Sequence, residues 1–135
     1  MLLMNPALAE ISESGEHGFT VTHSITTERE PFVVYRTMTS HIDQWWNGGR
    51  VEHLRIIYFS PCSELRFDGA LGPLQTMAVQ GRMTWKIEAV ENGSKVSFTY
   101  SVFGHPEGGL AGIAPAVDGV IGEQLARLGE RLNRD

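Results

Sequence analysis

The last quarter of the chain constrains the fold most, because it carries a long, one-sided apolar stripe. Apolar residues recur there at spacings of three or four, at Leu110, Ile113, Val117, Ile121, Leu125, Leu128 and Leu132. This spacing places them on one face of an α-helix. The opposite face carries charged residues that suit water, namely Asp118, Glu123, Arg127, Glu130, Arg131 and Arg134. A helix of this kind has to bury its stripe against another layer of the protein.

Pro115 interrupts the stripe near its beginning. Proline lacks a backbone N–H and disfavours the helical conformation of the residue before it, here Ala114. We therefore expect a short helix over residues 110–114, followed by the main helix from Pro115 to about Asn133.

The segments before that helix alternate apolar and polar residues, which is typical of half-buried β-strands. Strands are predicted over residues 19–25, 51–59, 64–68, 75–90 and 95–103. The residues expected to face inwards are Phe19, Val21, His23, Ile25, Leu54, Ile56, Tyr58, Leu65, Phe67, Met77, Val79, Met83, Trp85, Ile87, Val96, Phe98, Tyr100 and Val102. His23 shares the apolar face of the first strand, where we expect a hydrogen-bonded histidine at the edge of the core. Gly81 is expected to bend or bulge its strand, and Asn92-Gly93 predicts a hairpin turn.

Two short helices are predicted between the first strand and the others. Pro31 suits the first residue of a helix, with Phe32, Tyr35 and Met38 on its inward face. Ser40 can cap the second helix, which contains Trp45 and Trp46 and ends at Gly48-Gly49. Two adjacent residues of a helix cannot both face inwards, so we expect one tryptophan in the core and the other at a rim or a cavity mouth.

Composition excludes several classes of function. A chain of 135 residues with a formal charge of -5 is of single-domain size and lacks the basic surface that nucleic acids require. The single cysteine excludes an internal disulfide, and the five histidines lie too far apart in sequence to suggest a metal site. No phosphate-binding loop or other cofactor motif is present, and no apolar run reaches the roughly 20 residues of a membrane-spanning helix.

The first 17 residues are predicted to be a leader, and residues 18–135 the folded domain. Ala7-Leu8-Ala9 has the small-x-small form of a signal-peptidase site, but no basic segment precedes it. Two alternatives remain. The segment is either the remnant of a signal peptide, which implies an exported or periplasmic protein, or a short amphipathic or disordered leader of a cytoplasmic protein.

The order of predicted elements is typical of an α+β fold. Several sequence segments point to a particular family within this class, namely Phe19-Thr20-Val21, Pro31 before a helix with Tyr35, Trp45-Trp46 and Gly81-x-Met83-x-Trp85. Further matching segments are residues 69–74, residues 114–118 and Gln124-Leu125-x-x-Leu128. Over residues 18–132 the chain resembles the START/Bet v 1-like (SRPBCC) superfamily, and most of all bacterial proteins related to the Hsp90-ATPase-activator homologue domain. The resemblance implies a helix-grip fold, in which a curved antiparallel sheet wraps around the long C-terminal helix and leaves an apolar cavity.

The resemblance implies three functional hypotheses. The first is a domain that binds a small hydrophobic molecule, such as a lipid, a polyketide or an aromatic compound. The second is a cyclase or aromatase that uses the same cavity, and the third is an interaction module for an Hsp90-like ATPase. The residues expected to line the cavity are Trp45, Trp46, Tyr58, Phe67, Met77, Met83, Trp85, Phe98, Tyr100, Val117 and Ile121. No catalytic residue, metal or cofactor is assigned, the partner is a hydrophobic small molecule, and a homodimer is a further hypothesis.

The chain departs from the family pattern after the tryptophan pair. Similar proteins have a longer segment there, on the order of two strands, whereas here Asn47 runs directly into Gly48. Either this protein lost a hairpin or those residues are absent from the sequence. The sheet should then look incomplete between the second short helix and the strand that begins at Val51, and a Cα–Cα distance between residues 47 and 48 well above ~3.8 Å would indicate a break.

Overall fold

A computed structural model describes residues 8–12, 15, 17–46, 54–71 and 74–134. Six strands form one antiparallel sheet: β1 (Leu8–Ser12), β2 (Gly18–Thr27), β3 (Arg55–Ser60), β4 (Glu64–Asp68), β5 (Val79–Val90) and β6 (Gly93–Gly104). Their order across the sheet is β1-β2-β6-β5-β4-β3. Two helices, α1 (Pro31–Thr39) and α2 (Ala114–Leu132), and a 3₁₀ turn (Ile42–Gln44) complete the described elements. The predicted α+β helix-grip architecture is confirmed.

Helix α2 buries the stripe that the sequence predicts. Val117, Ile121, Leu125, Leu128 and Leu132 are all buried, and the helix lies mainly over β2. The expected short helix over residues 110–114 is wrong, because residues 111–113 form a turn and Ala114 already belongs to α2. Pro115 falls in the first turn of α2, where its missing N–H costs no hydrogen bond.

Two rows of side chains cross the inner face of the sheet, the face that α2 covers. Following the strand register from β2 to β3, one row is His23, Phe98, Trp85, Leu65 and Phe59, and the other is Val21, Tyr100, Met83, Phe67 and Ile56. The first four members of each row are buried, but Phe59 is 61% exposed and Ile56 is 53% exposed. The inner side chains are therefore buried from β2 to β4 and exposed to solvent on β3.

Strand β3 differs from its prediction in one decisive respect. A β-bulge between Ile56 and Tyr58 shifts the register, so that Tyr58 pairs with Arg66 and Phe59 pairs with Leu65. Since side chains alternate between the two faces of a strand, the extra residue moves every later side chain to the other face. The prediction that Tyr58 faces the interior is therefore wrong, and Phe59 occupies the inner face in its place. The expected incompleteness around residues 47–53, including the distance between residues 47 and 48, lies outside the described residues.

Strand β5 is shorter than predicted and has no bulge at Gly81. It begins at Val79, so Met77 lies in the turn before it rather than on the inner face. The pairing with β6 continues without a shift through Gly81, and the expected bulge is wrong. A Cβ atom at Gly81 would lie 2.5 Å from the Tyr100 hydroxyl, which shows that glycine makes room for this tyrosine. The hairpin turn predicted at Asn92-Gly93 joins β5 to β6 as expected, and both residues have positive φ.

Helix α1 begins at Pro31, as predicted, but its inward face differs. Val34, Thr37 and Met38 are buried, whereas Phe32 is 55% exposed and lies against the Arg36 guanidinium. The expected inward position of Phe32 is wrong because α1 lies against the sheet with its second half, which leaves its first turn at the surface.

The adjacent tryptophans divide as predicted. Trp45 is buried and donates its indole N–H to the Thr37 carbonyl oxygen at 3.0 Å, while Trp46 is only partly buried. On the other side of this segment, Arg127 of α2 donates from Nε to the Trp45 carbonyl oxygen at 2.7 Å. These two hydrogen bonds fix the peptide between the tryptophans and thereby determine which of them enters the core.

The N-terminal segment contributes a strand. Residues 8–12, which fall within the predicted leader, form β1 and pair antiparallel with β2 from Leu8 opposite Ser24 to Ser12 opposite Thr20. These five residues extend the sheet beyond β2. In the part of the chain that the structure describes, no helix is long and apolar enough to cross a membrane.

His23 joins β2 to α2 beneath the helix. Its Nε2 lies 2.9 Å from Oδ1 of Asp118, and since a carboxylate only accepts, Nε2 carries the proton and donates it. The predicted hydrogen-bonded histidine at the core edge is thus confirmed. Nδ1 of the same ring is buried without a hydrogen-bond partner and lies beside Gly122 of α2. The ring therefore fills a space that exists because residue 122 has no side chain.

Gly122→Ala should lower the free energy of unfolding by about 1–3 kcal/mol, because the new Cβ would come within 2.7 Å of the His23 ring. Gly119→Ala is the matched control on the same helix. A Cβ there meets nothing within 4 Å, so the better helix propensity of alanine should stabilise the protein by up to about 1 kcal/mol. Urea unfolding of both variants measures the difference, and equal shifts would show that His23 does not hold its place against α2.

Candidate functional site

The inner face of the sheet is built around Trp85 of β5. Its ring lies 4.4 Å from Phe67, 4.8 Å from Phe98, 5.3 Å from Trp45 and 5.8 Å from Trp46, measured between ring centroids. The contact with Phe98 is stacked, with an interplanar angle of 16°. Aromatic pairs at these separations attract each other beyond the gain from burial. The cluster forms an apolar floor whose rings come from β4, β5, β6 and the segment after α1.

The floor becomes accessible on the β3 side. Ile56 and Phe59 extend it past the buried Phe67 and Leu65, which are their register partners on β4. Trp46 and Leu54 are partly buried and pack against the same core. We call this surface, formed by Trp46, Leu54, Ile56 and Phe59, the apolar shelf. Exposed apolar side chains that adjoin a buried aromatic cluster are typical of a binding surface.

Most of the predicted site residues come together in the interior. Trp45, Phe67, Trp85 and Phe98 form the aromatic cluster, and Met83 joins it by accepting a hydrogen bond from the Trp85 indole at 2.9 Å. Val117 and Ile121 of α2 and Tyr100 of β6 belong to the same buried core, and Trp46 stands at its rim.

Two predicted site residues lie elsewhere. Tyr58 faces the outside of the sheet, where the Arg66 guanidinium stacks over its ring at 4.3 Å. Met77 lines a surface groove of about 670 Å³ at the end of β5 and β6, together with Val79, Phe103 and His105. Tyr58 therefore faces away from the apolar shelf, and Met77 lies outside it, in the turn before β5.

Sequence reasoning missed Phe59 as a site residue. Strict alternation from Ile56 assigns it to the outer face, and no residue in the strand signals the bulge that reverses this assignment. Asp118 was also missed, since it falls on the polar side of the helical stripe. The signal that could have found it is His23, a histidine on an apolar strand face that needs a polar partner from the layer above.

Tyr100 of β6 holds the loop that follows β4. Its hydroxyl donates to the Gly69 carbonyl oxygen at 2.8 Å and accepts from the Leu71 N–H at 3.1 Å. Burial raises the pKa of Tyr100 from 10.0 to about 12, and the hydrogen bond from Leu71 opposes part of this rise. The inward tyrosine is thus a structural tie, with both of its hydroxyl functions already engaged.

The hydrogen bonds of the inward His23 and Tyr100 run to α2 and to a loop, not to the shelf. His23 is bonded to Asp118, and Tyr100 is bonded to the loop. Within the described ranges, no three histidine, cysteine, aspartate or glutamate side chains are arranged to hold a metal ion. The shelf can therefore offer shape and apolar contact to a ligand through the four side chains that define it.

Comparisons with known proteins agree on the architecture. No protein-family model matches the chain, and no curated protein matches its sequence. Among solved structures, CalU16 from Micromonospora echinospora superposes with a TM-score of 0.71 at 9% identity, over 96% of this chain and 87% of that one. Protein CV1439 from Chromobacterium violaceum gives 0.62 at 14% identity, over 86% of this chain and 98% of that one. The Aha1 dimer from Colwellia psychrerythraea gives 0.60 at 15% identity, over 84% and 95%.

At such low identities these likenesses show the fold alone. They agree with the α+β helix-grip architecture that the sequence predicts.

Tyr100→Phe should lower the free energy of unfolding at pH 7 by about 1–3 kcal/mol, because the loop loses two buried hydrogen bonds. The wild type should also lose stability relative to this variant as pH rises from 10.0 towards about 12, since folding favours the protonated phenol. The loss should not exceed about 3 kcal/mol.

Urea unfolding of both proteins between pH 7 and pH 11.5 tests this. Tyr58→Phe, at an exposed tyrosine, is the control and should follow the wild type at every pH. A stability difference between wild type and Tyr100→Phe that does not shrink above pH 10 would contradict the buried position of the phenol.

Proposed function

We propose that this protein binds a small hydrophobic molecule on the apolar shelf, against the floor formed by the Trp85 cluster. The proposal rests on one observation: the side chains of the two inner rows change from buried to exposed at β3. Side chains from β2 to β4 are fully packed, whereas Phe59 and Ile56 are more than half exposed on the same face. A ligand lying along β3 would continue the inner layer and cover these two side chains.

The shape of the site favours a flat or extended ligand. The rings around Trp85 lie at centroid distances of 4.4–5.8 Å from it and form the floor, and a ligand on the exposed side chains of β3 would lie alongside this floor. Trp46 stands at the rim of that floor and offers an aromatic face of its own. Lipid acyl chains, polyketides and planar aromatic compounds all meet these requirements, and the fold-level likeness to SRPBCC proteins is compatible with each of them.

Binding is favoured over catalysis because the polar pairs lie far from the shelf. His23 is on β2 and Phe59 on β3, four strands apart in the sheet order. At about 4.8 Å per strand, that separation is roughly 19 Å, too far for proton transfer to a ligand on the shelf. The His23–Asp118 pair would suit an acid–base role, but in this fold His23 is buried and the pair joins α2 to the sheet.

Phe59→Lys should weaken binding of an apolar probe by tenfold or more, because it places a charge in the middle of an apolar surface. Tyr58→Lys is the matched control, since the neighbouring side chain points to the opposite face of the same strand. It should leave the affinity within about twofold of the wild type. The measurement is a fluorescence titration with N-phenyl-1-naphthylamine, with palmitate as the displacing molecule.

Mass spectrometry of the native protein purified from its own host would then identify a bound apolar molecule. Two results would contradict the proposal: equal sensitivity of binding to the two lysine variants, or no saturable binding of the probe by the wild type.

A further inference from the structure

Strand β3 is an edge of the described sheet, and it is apolar on both faces. Ile56 and Phe59 lie on the inner face, Tyr58 lies on the outer face, and Ile57 occupies the bulge. Ile57 and Tyr58 are 47% and 44% exposed, so four consecutive apolar side chains meet solvent. On its side away from β4, the strand pairs with no other strand in the described part of the chain. Such an edge is a template for pairing with another strand.

Several of the features that usually block edge pairing are missing from this stretch. Residues 56–59 contain no proline, no lysine and no inward-pointing charge, which are among the features that keep exposed edges from associating. The bulge at Ile57 is the one such feature here: it increases the local twist, but its own side chain stays exposed. The opposite edge, β1, is a five-residue strand that lies partly against α2. The two edges of the sheet therefore differ in their capacity to pair.

We infer that β3 is the dimerisation strand of this protein and that its occupant is β3 of a second copy. A two-fold axis perpendicular to the sheet pairs the strand antiparallel with itself and makes one continuous sheet of two copies. The same operation sets inner face beside inner face, so Ile56 and Phe59 of one copy adjoin those of the other. Apolar surface meets apolar surface on that side, and the Tyr58 rings lie side by side on the other.

The charges along the strand are compatible with this pairing. Arg55 begins β3 and Ser60 ends it, so antiparallel pairing places each arginine near the serine of the other copy. Arg66 lies one strand further in and already faces Glu64 and the Tyr58 ring. Arg55 of one copy and Arg55 of the other therefore lie at opposite ends of the interface and do not face each other.

The exposed area sets the strength of the dimer. With ~150–250 Å² for a whole aromatic side chain and less for isoleucine, the exposed parts of these four side chains amount to on the order of 300 Å² per copy. The pair would bury roughly 600 Å² of side chain, plus the main-chain pairing, against about 1,200–2,000 Å² for a stable interface. The dimer should therefore be weak, and its population should depend on protein concentration. Because each copy carries a net charge of -5, salt should screen the repulsion between the copies and strengthen the dimer.

Sedimentation velocity of the full chain between 5 and 500 μM, at low and high salt, tests the inference. The wild type should shift from the monomer towards twice its mass of 14.9 kDa as the concentration rises. Tyr58→Lys should remain monomeric, because it sets two like charges against each other at the centre of the paired strands. Phe32→Lys, the same kind of change at an exposed aromatic residue of α1, is the control and should dimerise like the wild type.

Amide hydrogen exchange of the wild type gives a second measurement that does not depend on any variant. Protection of residues 55–60 should rise with protein concentration, while that of the other edge, residues 8–12, should not. A wild type that stays monomeric at 500 μM, dimerisation of Tyr58→Lys equal to that of the wild type, or protection that rises at β1 instead would each overturn the inference. Ile56 and Phe59 belong both to the dimer contact and to the apolar shelf. The probe titration of Tyr58→Lys is therefore made at 5 μM, where the wild type is expected to be monomeric, so that loss of the dimer is separable from loss of ligand binding.

Discussion

The structure depends on the apolar stripe of α2 being buried over one half of a curved sheet. The helix lies over β2, so the inner residues of β2 and β6 are covered by Val117, Ile121, Leu125 and their neighbours. Removing this much apolar surface from water is the main favourable term in folding. The far half of the sheet receives a different cover, because Trp45 packs its ring against Trp85 and Phe98. On the same face of the sheet, Ile56 and Phe59 of β3 are more than half exposed.

This uneven cover connects packing with function. Under α2 the core is held by specific polar contacts, such as His23 to Asp118 and Tyr100 to the loop at Gly69. At β3 there are no comparable ties among the shelf side chains, and apolar surface is exposed on both faces of a single strand. Monomeric proteins rarely expose contiguous apolar surface without a role for it. Ligand binding on the inner face and pairing along the edge are two uses of the same margin, and both would cover part of Ile56 and Phe59.

Arg127 and Arg131 show how the two halves are linked. Arg127 donates to the Trp45 carbonyl oxygen, and Arg131 donates from Nε to the Gln44 side-chain oxygen at 2.6 Å. The charged side of α2, which the sequence assigns to solvent, thus reaches over the segment that carries the tryptophan pair. A rotation or displacement of α2 would move that segment and with it the rim residue Trp46. The position of the shelf is therefore coupled to the packing of the C-terminal helix.

The sequence alone determined the elements whose periodicity is regular. The stripe of α2, the alternation of Val96, Phe98, Tyr100 and Val102, the start of α1 at Pro31 and the split between Trp45 and Trp46 all follow from spacing and backbone chemistry. Local rules suffice there because each residue's environment is set by its own element. The fold class and most of the buried aromatic cluster could be predicted for the same reason.

Only the tertiary structure decided the features that depend on a single insertion or on how layers meet. The bulge at Ile57 exchanged Tyr58 for Phe59 on the inner face, and the tilt of α1 exposed Phe32 and buried Val34. The pairing of His23 with Asp118 joins residues 95 positions apart, and β1 arose from a segment with no strand pattern of its own. A one-residue shift reverses a strand's faces, and long-range contacts have no local periodicity, so neither could be derived from the order of residues.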